Sequence, residues 1–116
     1  MFEIIQGGGV TTAQGFKAGA VSAGLKTETG VLDLGLLVSD KRAAVAATFT
    51  TNSIESPSVT ASRKRMEKGY ARGVIANSGC ANCSVGSQGL LDAEEMSSLA
   101  ADLVGVESDE LFIAST

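Results

Sequence analysis

Residues 73–116, GVIANSGCANCSVGSQGLLDAEEMSSLAADLVGVESDELFIAST, decide the fold class, because they set one amphipathic helix between two short apolar runs. Within residues 90–104, Ala93, Met96, Leu99, Ala100, Leu103 and Val104 recur at helical spacing, with Glu94, Glu95, Ser98 and Asp102 opposite. That stripe predicts a helix that faces the core. Its acidic first turns suit the positive end of a helix dipole, and Gly105 supplies a left-handed stop. Residues 73–76 and 111–114 are apolar runs too short for helices, bounded by polar residues, and predict buried strands. Helix between strands places the chain in the α/β class.

Upstream, residues 31–39 alternate, with Leu32, Leu34, Leu36 and Val38 on one side and Asp33, Gly35, Leu37 and Ser39 on the other. Asp40, Lys41 and Arg42 read as a polar turn, and residues 43–51 as a second strand closing a hairpin. Residues 52–57 form a loop around the only proline, and residues 60–68 a short helix stopped by Gly69. The basic cluster Arg63, Lys64, Arg65 reads as a solvated face. Residues 1–30 carry glycine at 7, 8, 9, 15, 19, 24 and 30 without a helical period, and predict short strands joined by turns. No segment repeats at fixed spacing, which excludes solenoids. The 116 residues suffice for a single domain, 1–116.

Composition removes several functions. Nine Lys and Arg against thirteen Asp and Glu leave a formal charge of −4, which disfavours electrostatic capture of nucleic acid or of an anionic membrane. The absence of histidine excludes the usual serine triads, histidine proton shuttles and histidine-bound zinc. No apolar run reaches the roughly 18 to 20 residues that cross a bilayer, and the N-terminus has no basic region followed by an apolar stretch, so a cytoplasmic protein is expected. Cys80 and Cys83 have the spacing of a redox pair or of half a zinc site. With no other cysteine, they are expected to be free loop thiols and no metal is expected. Gly7, Gly8 and Gly9 lack the Gly-Lys-Ser/Thr step and the strand-to-helix setting of a phosphate cradle.

Two polar features stand at strand ends. Asn77, Ser78 and Gly79 offer an amide, a hydroxyl and backbone N–H groups, either to position a polar substrate or to satisfy their own turn. Ser115 and Thr116 end the second apolar run, where a threonine hydroxyl and a nearby N–H are suited to donate to a developing oxyanion.

Taken together, several segments resemble the N-terminal part of the ornithine acetyltransferase family of arginine biosynthesis, also called glutamate N-acetyltransferase. They are residues 15–18 (GFKA), 23–26 (AGLK), 34–40 (LGLLVSD), 49–52 (FTTN), Asn77-Ser78-Gly79 with Ala81-Asn82, 86–90 leading into Glu95-Met96, and 113–116 (IAST). The resemblance runs the whole chain. Two residues depart from the family's Asn-Ser-Gly-Asn-Ala-Asn run: Cys80 replaces an asparagine, and Cys83 shifts the cysteine that often follows.

The resemblance implies a mixed α-β sandwich of the ornithine acetyltransferase/DmpA-like type, of which this is the N-terminal part. It also implies a cytoplasmic enzyme that transfers acetyl from N-acetylornithine to glutamate, some members taking acetyl-CoA as donor, without a cofactor. Family members are precursors that cleave themselves before a threonine. That threonine becomes the acetylated nucleophile and its new α-amino group the base, which dispenses with histidine. The implied partner is the β chain of the same precursor, in an α2β2 heterotetramer. Thr116 matches the threonine of the family's Ser-Thr-Gly turn, so the implied role of Thr116 is in the oxyanion hole, with the next glycine as the second donor. No residue here matches the nucleophile's Ala-Thr step, so this segment alone is expected to be inactive and to belong to a longer enzyme. Two other readings stand beside it: a non-catalytic partner domain, and a self-processing amidohydrolase or aminopeptidase that releases its acyl group to water.

Overall fold

The computed structural model describes residues 1–83 and 86–116. Strands β1 (Phe16–Val21), β2 (Leu34–Ala44), β3 (Tyr70–Asn77) and β4 (Leu111–Ser115) form one sheet in sequence order. Helix α1 (Pro57–Met66) joins β2 to β3, and α2 (Gly86–Val104) joins β3 to β4. β1, β2 and β3 pair antiparallel, whereas β3 and β4 run parallel with Ile75 beside Ile113. A parallel pair needs a long crossover, which α2 supplies. The result is a mixed α/β fold.

Both helices pack on the β3–β4 half of the sheet. The core joins Ala61 of α1 and Ala93, Ala100 and Ala101 of α2 to Ile75, Leu111 and Ile113. Ser62 closes the free edge of β4, its buried hydroxyl accepting from the Ile113 N–H and donating to the Ile113 carbonyl, both at 3.0 Å. An open edge is thereby covered by a helix. Either group left unpaired in the interior would cost about 1–3 kcal/mol. α1 begins at Pro57, with Ser56 Oγ accepting from the Val59 N–H at 3.4 Å, three residues before the sequence expectation. Gly69 and Gly105 follow the two helices with φ of 72°, as expected of left-handed stops.

Five expectations need correction. Residues 31–51 form no hairpin, because β2 continues unbroken through Asp40, Lys41 and Arg42 to Ala44, with an irregularity against β3 between Val38 and Ala43. These polar residues extend the strand beyond the end of β1, where their side chains find partners: Asp40 pairs with Lys17 at 2.8 Å, and Arg42 pairs with Glu110 at 2.6 Å and stacks on Tyr70. Residues 45–51 carry no strand.

α2 also seats differently. Its buried residues are Gly89, Ala93, Ser97, Ala100 and Ala101, while Leu99 is 59% and Leu103 86% exposed. The small residues let the helix approach the sheet and α1 closely, and the larger ones turn aside. Met96, Leu99 and Leu103 thus form one wall of a cleft of about 860 Å³ over the uncovered β1–β2 half, opposite Val21, Leu34 and Leu36. Because the helix starts at Gly86, Glu94 and Glu95 lie beyond its first turn, and the dipole argument for them fails.

The basic cluster divides. Arg63 pairs with Glu55 and stacks on Phe49, but Arg65 is 5% exposed. Its guanidinium donates to Ser97 Oγ at 2.9 Å, to the Leu111 carbonyl and to Glu94 Oε2 at 2.5 Å, tying α1, α2 and β4 together. A buried charge persists when so paired. Finally, residues 1–30 contain one strand, β1, with turns around it.

Candidate functional site

The ends of β3 and β4 meet two loops at one end of the sheet, and Thr116 lies among them. Parallel pairing puts Asn77 beside Ser115, and the ladder continues one step further, the Thr116 N–H donating to the Asn77 carbonyl at 3.1 Å. The chain then turns at Gly79, whose N–H donates to the Thr116 carbonyl at 2.8 Å. Both backbone groups of Thr116 are therefore engaged. Its side chain is exposed, and the hydroxyl makes no hydrogen bond to the described residues. The N–H of Thr116 is thus used by the sheet, while its hydroxyl, the donor expected from the sequence, is available.

The turn at residues 77–80 satisfies itself. Asn77 Nδ2 donates to the Cys80 carbonyl at 2.9 Å, and the Ser78 N–H donates to the Asp33 carbonyl at 2.8 Å. Ser115 Oγ accepts from the Asn82 N–H at 2.9 Å, pinning the loop to β4. Gly79 has φ of 101°, which glycine adopts without strain. Cys80 and Cys83 are free and exposed. A cavity of about 230 Å³ opens beside this loop, walled by Leu25, Cys80, Asn82, Met96 and Ser115.

Asp33 is the site residue that strand alternation misses. It is 3% exposed, and its carboxylate accepts from the N–H groups of Ala23 at 2.6 Å, Leu25 at 2.7 Å and Lys26 at 3.1 Å. The Ala23 N–H does most to hold its carboxyl below the ordinary aspartate value of 3.8; burial opposes this, and the N–H groups of Lys26, Leu25 and Gly24 add to it. A carboxyl whose folded value is depressed contributes stability above the unfolded value, and this is lost as pH falls through the folded one. Asp33→Asn is therefore expected to lower Tm at pH 6. The gap between variant and parent is expected to narrow below about pH 4, as measured by thermal unfolding across pH. A gap independent of pH would count against the charged form as the loop's anchor.

The ArgJ family model matches residues 17–116. The chain belongs to the ArgJ family. ArgJ 1 of Nostoc sp. strain PCC 7120 is 39% identical over 110 residues, which cover 94% of this chain and 26% of that protein. ArgJ of Geobacter sulfurreducens is 42% identical over 103 residues, covering 89% of this chain and 26% of the relative. The chain thus spans about a quarter of the length of the curated relatives it matches. The crystal structure of the arginine biosynthesis bifunctional protein ArgJ from Bacillus halodurans aligns with a TM-score of 0.86 at 29% identity, over 93% of this chain and 56% of that one. The ornithine acetyltransferase of Mycobacterium tuberculosis, solved with ornithine, aligns with a TM-score of 0.85 at 31% identity, over 97% and 61%. The mixed sheet with its two helices is the ArgJ arrangement. No helix among the described residues is long and apolar enough to cross a membrane.

Proposed function

We propose that this chain is the N-terminal segment of a cytoplasmic acetyltransferase of arginine biosynthesis, which moves an acetyl group from N-acetylornithine to glutamate. Membership of the ArgJ family over residues 17–116 is the observation that carries this reading. Thr116 serves in the oxyanion hole. A nucleophilic threonine, supplied by residues outside this segment, adds to the acetyl carbonyl of N-acetylornithine, and the negative charge that collects on the carbonyl oxygen receives a hydrogen bond from the Thr116 hydroxyl. Collapse of the tetrahedral adduct breaks the carbon–nitrogen bond. Ornithine leaves with a proton returned by the nucleophile's own amino group, and the acetyl group stays on the threonine oxygen. The amine of glutamate then attacks that ester, passes through the same kind of adduct and departs as N-acetylglutamate.

The segment supplies a hydroxyl on a backbone position fixed by two hydrogen bonds, so the donor is carried at a set place beside the strand ends. Its partner is the β chain of the same precursor, in an α2β2 assembly, and acetyl-CoA is a second donor for the same nucleophile. Incubating the full-length protein with N-acetylornithine and glutamate is expected to release ornithine and N-acetylglutamate in equal amounts. Acetate in place of N-acetylglutamate would identify an amidohydrolase, and no turnover would leave a non-catalytic domain.

A further inference from the structure

The half-buried Ser115 hydroxyl accepts from the Asn82 N–H at 2.9 Å and donates to the Cys80 carbonyl at 3.4 Å. One side chain of β4 thus takes up two backbone groups of the loop that follows β3. That loop carries Gly79, whose N–H binds the Thr116 carbonyl at 2.8 Å. The loop's other fastenings lead elsewhere. The Ser78 N–H donates to the Asp33 carbonyl, Asn77 Nδ2 to the Cys80 carbonyl within the loop, and Asn82 Nδ2 to the Gly89 carbonyl of α2 at 2.6 Å. Among the described residues, Ser115 is the one whose side chain ties this loop to β4. Its single proton goes to Cys80, so Ser115 has none to give an acyl oxygen.

We propose that Ser115 is a positioning residue for the oxyanion donor Thr116, an assignment that rests on the acetyl-transfer reading above. It touches no reacting atom. It fixes residues 80–82 against β4 and, through Gly79, restrains the carbonyl side of Thr116. Without this hydroxyl the Asn82 N–H loses its acceptor, and the Cys80 carbonyl keeps only the bond from Asn77. Residues 79–82 then gain freedom. The Thr116 backbone gains it with them, on the side that its N–H bond to Asn77 does not restrain. An oxyanion donor works by standing where charge collects, and a misplacement of about 1 Å can cost about 10²-fold in rate. Partial loosening costs less. The loss falls in kcat, because the bond it weakens is made in the transition state and not in the ground state.

The test uses the full-length protein with N-acetylornithine and glutamate, and Ser115 is substituted both in the parent and in a Thr116→Ala background. Ser115→Ala is expected to lower kcat about tenfold with KM little changed. Ser115→Thr keeps a hydroxyl on the same backbone and is expected to recover most of that loss. Ser115→Val has the shape of threonine without the hydroxyl and is expected to lose as much as Ser115→Ala, so the comparison with Ser115→Thr stands even where the alanine variant does not fold. In the Thr116→Ala background, removing the Ser115 hydroxyl is expected to change kcat by less than about twofold, since no donor is left to position. A serine that served stability alone would cost the same in both backgrounds, and that result would overturn the assignment. So would a parent-like kcat in both Ser115→Ala and Ser115→Val. Absence of transfer by the unsubstituted protein would instead remove the functional reading, and this assignment with it.

Discussion

Gly73→Ala is expected to cost this fold about 3 kcal/mol or more and to lower Tm by on the order of 10 °C. Gly73 lies in β3, between Val38 of β2 and Leu111 of β4. A methyl group there would collide with the carbonyl oxygen of Leu37 and approach Leu111 Cδ2 at 3.1 Å. Neither neighbour yields easily. The carbonyl is backbone in a paired strand, immediately before the irregularity that follows Val38, and Leu111 is fully buried in the core. Relief requires β2 to back away from β3, which weakens their ladder where both helices depend on the sheet's position. Gly19→Ala provides the contrast, since a methyl group on β1 meets nothing within 4 Å. That variant is expected to match the parent or exceed it slightly, because alanine loses less entropy on folding. Thermal unfolding of the three proteins decides the matter, and equal midpoints for the two variants would mean that β2 moves freely.

The sequence shows most clearly those elements whose periodicity matches their burial. The apolar runs 73–76 and 111–114 do fall in β3 and β4, each with a buried isoleucine, and both glycine stops are where the helices end. What stays hidden depends on partners distant in the chain. Arg42 and Glu110 are 68 residues apart, and their pairing is what makes a strand of residues that read as a turn. Arg65 resembles any surface arginine until Ser97, Leu111 and Glu94 converge on it. For α2, periodicity counts hydrophobicity where packing selects size, so alanines and Ser97 face inward while Leu99 and Leu103 do not.

The candidate site divides in the same way. Thr116 stands just past β4, at the strand end where the sequence reading put it, and its part in the chemistry is the proposal made above. Asp33 alternates as if it belonged to the polar side of a strand, yet it lies one residue before β2 begins, where its carboxylate turns inward to a loop. The available signal was the glycine-containing stretch at residues 23–26, whose N–H groups have no strand to pair with and gather around one acceptor. Once Asp33 is seen to hold that loop, Gly79 acquires a reason, since its missing side chain leaves room for the Lys26 stem.

Thr116→Ala in the full-length protein is expected to slow acetyl transfer by about 10²-fold, the usual consequence of losing one oxyanion donor. The effect belongs in kcat, because the oxyanion exists only in the transition state and the adduct. Fold stability is expected to change little. The side chain is exposed, its hydroxyl bonds to none of the described residues, and both backbone bonds of Thr116 survive the substitution. Thr116→Ser keeps a hydroxyl on the same backbone and is expected to retain activity within about tenfold, which separates loss of the donor from loss of the methyl group. The backbone N–H cannot compensate in the alanine variant, because the Asn77 carbonyl holds it in the ladder. A Thr116→Ala enzyme that turns over at the parent's rate would therefore leave this position with no donor to offer, and the oxyanion would have to be held entirely by groups outside the segment.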